Sequence, residues 1–231
     1  MHLMLKKYTY FIGVLLLIFN VDGFAHGVDS NTAHFLSTQH EVALVPFLYI
    51  GAKHMVTGYD HLLFLLGVIF FLYRARDILI YVSLFTLGHS LTLLLGVFYK
   101  IQMDAYLIDA VIAFSIIYKG FDNLGGFKLL FGRQPNTKIA VLIFGLFHGF
   151  GLATKLQDFS LPEENLMSNM LAFNVGVEIG QGIALLFILT LLGFWRRHNS
   201  YFTFANASNT LLMSGGLVLL GFQLTGYFTA I

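Results

Sequence analysis

Apolar runs close to the length of a bilayer crossing recur along most of this chain, separated by short polar loops. A crossing helix needs about 20 predominantly apolar residues, and only helices or closed barrels satisfy their backbone groups in hydrocarbon. Of 231 residues, 57% are hydrophobic and 11% are charged, whereas soluble domains carry about 25% charged residues. The pattern predicts an all-α fold, a polytopic membrane helix bundle in contact with lipid. A net charge of +1 gives no reason to expect nucleic acid as a partner, and no nucleotide-binding motif is present. There is no cysteine, so a metal would have to be held by His, Asp, Glu, Asn or Met.

At the N-terminus, Lys6 and Lys7 precede the apolar "FIGVLLLIF", and "NVDGFA" then places Gly23 and Ala25 where a signal peptidase reads small residues. We expect residues 1–25 to be a cleaved signal peptide and 26–231 to form a single transmembrane helical domain. Cleavage after Ala25 would leave His26 with a free amine beside its imidazole, a pair able to chelate a divalent metal. "EVALVPFLYIGAKHM", interrupted by Pro46 and Gly51, reads as a short interfacial or re-entrant helix near 42–55.

Six transmembrane helices are then expected, at about 59–73, 78–98, 104–121, 138–154, 168–194 and 209–228. Arg74, Arg76, Lys119, Lys128, Arg133, Lys138, Arg196 and Arg197 fall on one side of this arrangement, the cytoplasmic side by the positive-inside rule. Lys53, Lys100 and Lys155, with Asp158, Glu163 and Glu164, fall on the other. Both mature termini would then face the periplasm or its equivalent. Gly145 with Gly149, and Gly176 with Gly180, form Gly-x-x-x-Gly pairs suited to close helix packing.

Ionisable side chains inside a bilayer cost several kcal/mol on insertion scales and are functional candidates by default. His61, His89, Asp109, His148, Asn174 and Glu178 qualify, with Asp60 at the edge. On the topology above they share one depth, between the midplane and the outer face. Asn174, Glu178 and Gln181 follow one another at i, i+4 and i+7, on one helix face. His54 and His61 are seven apart, and Ser90 adjoins His89. Three imidazoles with two or three carboxylates at one depth read as a metal or proton site. Nitrogen and oxygen donors without sulfur suit Ni, Co, Zn, Cu(II), Mn or Fe.

The sequence resembles the HupE/UreJ family of bacterial membrane proteins, more closely its second subfamily. The match is carried by His54-x5-Asp60-His61 in "HMVTGYDHLLFLL", by "FTLGHSLTL" around His89, by "FGLFHGFGLA" around His148 and by "FNVGVEIGQ" around Asn174, Glu178 and Gln181. The resemblance implies a nickel or cobalt permease of the bacterial inner membrane, linked to hydrogenase and urease maturation, with the His/Asp motif and the "FHG" segment handling metal. Two positions depart from the nickel-transporting branch: Met55 stands where proline often follows the first histidine, and "FGLA" lacks the second histidine-glycine and the glutamate.

The expected function is therefore that of a divalent metal permease or metal-handling accessory protein. His54, Asp60 and His61 would form an outer mouth and His89, His148 and Glu178 an inner relay, with Ser90, Asp109, Asn174 and Gln181 in support. The ion would be Ni or Co by resemblance, with Zn an alternative. A second reading is an intramembrane zinc-dependent hydrolase, in which three histidines hold Zn²⁺ and Asp60 or Glu178 acts as general base beside Ser90. Association into a homo-oligomer is left open.

Overall fold

The computed structural model describes residues 42–157 and 164–230, and the expected signal peptide and His26 lie outside them. Those residues form eight helices and no strand. They are α1 (Leu44–Thr57), α2 (Tyr59–Ile69), α3 (Ala75–Phe98), α4 (Ala105–Asn123), α5 (Gly126–Phe131), α6 (Thr137–Gln157), α7 (Leu166–Trp195) and α8 (Ser200–Ala230). Four of them, α3, α6, α7 and α8, are each long and apolar enough to cross a membrane. Their outward faces carry Leu87, Leu91, Ile183, Leu186, Phe187 and Val218 exposed, as lipid contact requires. The six-residue α5 is flanked by Gly125 and Gly132 at φ 75° and 70°, a left-handed backbone that glycine adopts without steric cost.

Glycine sets the helix pairing. Gly176 and Gly180 of α7 lie under the backbone of Leu48 and Ala52 of α1, so close that a β-carbon on Gly176 would meet the Leu48 carbonyl. The order 48 to 176, then 52 to 180, makes these two helices parallel. By the same reading Gly145 and Gly149 of α6 face Phe85 and His89 of α3, a second parallel pair. In lipid such close approach takes the place of a hydrophobic driving force between helices. A Gly176→Val protein is expected to lose about 1–3 kcal/mol of stability by overpacking, read as a lower melting temperature in detergent; an unchanged melting curve would disprove this packing.

The short helix expected near 42–55 is α1 (Leu44–Thr57), and it packs along α7. The backbone amide of Ala43 donates to Asn169 Oδ1 at the start of α7, and α1 then follows α7 toward its middle. After a break at Gly58, α2 continues in the same sense. Its last carbonyls, those of Ile69 and Phe70, accept from the Arg196 guanidinium at the end of α7, at 2.7 and 2.6 Å. The Tyr201 hydroxyl also donates to Phe70. The two short helices together therefore run the full length of α7. The span expected at 59–73 is an 11-residue helix, half of a broken one. Lys53, expected in a loop, lies within α1.

Interruption at Gly58 has a local cause. Glycine is about 1 kcal/mol less favourable than alanine inside a helix, and Gly58 takes an extended conformation (φ −72°, ψ 98°) while its N–H still donates to the His54 carbonyl. Asp60 stands in the first turn of the restarted helix, where a carboxylate complements the positive end of the helix dipole.

Candidate metal centre

The break at Gly58 places imidazoles from three stretches of chain around one point. His54 comes from the last turn of α1 and His61 from the first of α2; His89 comes from α3 and His148 from α6. The ring centre of His61 lies 5.2 Å from that of His54, 5.9 Å from His89 and 5.0 Å from His148, each approach edge-on. Asp60, His61, His89 and His148 are each no more than 1% exposed. Among the described residues, no three His, Asp or Glu side chains are already arranged to hold a metal ion. The rings are neighbours whose nitrogens do not yet converge.

Hydrogen bonds orient two of the rings. His148 Nδ1 lies 2.7 Å from the Phe144 carbonyl, and a carbonyl only accepts, so Nδ1 carries the hydrogen. In the neutral ring the lone pair is then on Nε2. His61 Nδ1 lies 3.0 Å from Asp60 Oδ1, and the same oxygen accepts the His61 backbone N–H at 2.9 Å. A carboxylate behind a histidine in this manner fixes its tautomer and raises its basicity as a ligand. His89 differs: among the described residues neither of its ring nitrogens has a hydrogen-bond partner. Leaving a buried polar group unsatisfied costs about 1–3 kcal/mol, and such a group in a native structure calls for an explanation such as a bound ion or water.

Aromatic rings wall the cluster. Phe85 lies 4.9 Å from His148, 6.2 Å from His61 and 6.1 Å from His89, and Phe64 lies 5.5 Å from His148. The sequence reading missed Phe85, although it precedes His89 by one helical turn and so shares its face.

Glu178 is exposed on the outward face of α7, away from the rings, because the buried stripe of that helix runs through Phe173, Gly176, Val177 and Gly180. Asp109 forms an ion pair through Oδ2 with Lys155 Nζ at 2.7 Å, near the last turn of α6. Along their own helices, His148 and His89 are near the centres of α6 and α3. His54 follows Ala52, which faces Gly180 at the middle of α7. Of the supporting residues, Ser90 is half-buried, and neither its Oγ nor Asn174 Oδ1 has a partner among the described residues. Gln181 is buried and bonded to Thr86.

The chain matches the family model described as HupE / UreJ protein over residues 30–231. Searches of curated proteins and of solved structures found no match.

Proposed function

The chain belongs to the HupE/UreJ family, and from that premise and the histidine cluster we propose that it is a membrane permease for a divalent metal ion of the nickel or cobalt type. The observation that carries this reading is the gathering of His54, His89 and His148 within 5.0–5.9 Å of His61 inside the helix bundle. Four imidazoles are not needed to pack a core. A shared ion would give His89 the partner that the described residues do not supply, and Asp60 would offset part of its charge. Nitrogen ligation requires metal distances near 2.0–2.1 Å, so binding must draw the rings together by side-chain rotation. The broken helix favours this, because the carbonyl end of α1 and the amide end of α2 meet beside the rings, as in transporters built on discontinuous helices.

In this reading α1 and α2 make one crossing, and α3, α4, α6, α7 and α8 make five more. The Arg- and Lys-rich end that holds α5 faces the cytoplasm of a bacterial inner membrane. The membrane potential then drives uptake, at about 2.3 kcal/mol per charge per 100 mV. The test is reconstitution: vesicles carrying the purified protein, given Ni²⁺ or Co²⁺ and an inside-negative potential, are expected to accumulate the ion above empty vesicles. Equal accumulation in both would refute the permease.

A further inference from the structure

Directly beside the cluster lies a small cavity of about 10 Å³, lined by His61, Phe64 and Phe85 and also by Tyr81 and Gln181. Its other walls are apolar side chains of α1, α2, α3 and α6. It extends from His61 toward the end of the bundle that holds α5, since Tyr81 precedes His89 by eight residues, roughly 12 Å along α3. A water needs about 10–15 Å³ of this kind of space. An ion resting there would keep at most about one water and would require ligands from the protein.

Gln181 is 2% exposed, and its amide orientation follows from hydrogen counting. Thr86 Oγ lies 3.0 Å from the Val82 carbonyl and 2.5 Å from Gln181 Oε1. Its single hydrogen cannot serve two acceptors. In that orientation Gln181 Nε2 is also buried with no partner among the described residues. Turning the amide by 180° removes both conflicts. Nε2–H then donates to Thr86 Oγ, Thr86 donates to Val82, and the Gln181 carbonyl oxygen is turned to the cavity as an acceptor beside His61.

Polar groups continue past it. Tyr81 lies beside Thr137, whose hydroxyl stands 3.5 Å from Asp122 Oδ2. Asp122 is held by Lys119 at 2.6 Å and by the exposed Gln134 at 2.7 Å. We propose that the metal ion leaves the histidine cluster through this cavity, with the Gln181 carbonyl as its intermediate ligand and the Tyr81–Thr137–Asp122 series as its way out at the α5 end. The proposal rests on the permease reading above. Phe64 and Phe85, whose ring centres are 5.3 Å apart, wall the cavity beside His61.

The test separates binding from transit. Wild type and Gln181→Leu are compared for equilibrium binding of Ni²⁺ to purified protein and for Ni²⁺ accumulation in reconstituted vesicles. Gln181→Leu is expected to bind as wild type does and to accumulate about tenfold less or lower. Accumulation at the wild-type rate overturns the exit route. Loss of binding along with accumulation also overturns it, because Gln181 would then serve the cluster itself. A wild type that binds Ni²⁺ without accumulating it refutes the permease reading, and the exit route falls with it.

Discussion

His61→Ala protein in vesicles is expected to accumulate no more Ni²⁺ than empty vesicles do. His61 is the ring that the other three share, at 5.0–5.9 Å, so its removal takes away the common ligand rather than one of four equivalent ones. Changes behind a ligand already cost about 10–100-fold in metal affinity or activity, and loss of the central ligand is expected to exceed that. Alanine also leaves a void at a fully buried position, which costs stability by itself. His61→Phe, which keeps a ring of similar volume, controls for this: it should melt close to wild type and still fail to accumulate Ni²⁺. Accumulation by His61→Phe at the wild-type rate would place the ion elsewhere.

Asp60→Asn is the second large effect, and it acts through charge. The amide oxygen can still accept from His61 Nδ1 at the 3.0 Å now spanned by Asp60 Oδ1, so the ring orientation is kept. What is lost is the negative charge beside a divalent ion in a buried setting, where Coulomb interactions are several times stronger than in water. Ni²⁺ binding to the purified Asp60→Asn protein, measured by titration calorimetry, is expected to weaken about 10–100-fold. Binding at wild-type strength would mean that Asp60 serves only to restart α2.

The chemistry of the site was more legible in the sequence than its position. His61, His89 and His148 stand out because each interrupts an apolar run, and a hydropathy pattern exposes such interruptions directly. Pro46 and Gly51 make the 42–55 segment look irregular, so the sequence pattern begins the first span at residue 59 and sets Asp60 at its edge. Gly51 in fact lies against the Phe173 backbone and allows α1 to enter. Glu178 shows a different limit. The step from Glu178 to Gln181 is three residues, about 60° around a helix, and the edge of the buried stripe falls between them. Spacing along one helix groups the two; only the placement of α1 against α7 separates the buried carboxamide from the exposed carboxylate.

The clasp at the end of α2 bears on how the protein is assembled. At 11 residues that helix is about 16 Å long, near half of a hydrocarbon core, and neither it nor α1 can cross alone. The Ile69 and Phe70 carbonyls receive their donors from Arg196 and Tyr201, 126 or more residues later in the chain. During synthesis these carbonyls therefore lack their donors until α7 and the start of α8 have been made. The helices that carry His54 and His61 thus precede in the chain the residues that clasp them, so no part-made chain ending before Arg196 holds the imidazole cluster in its finished packing.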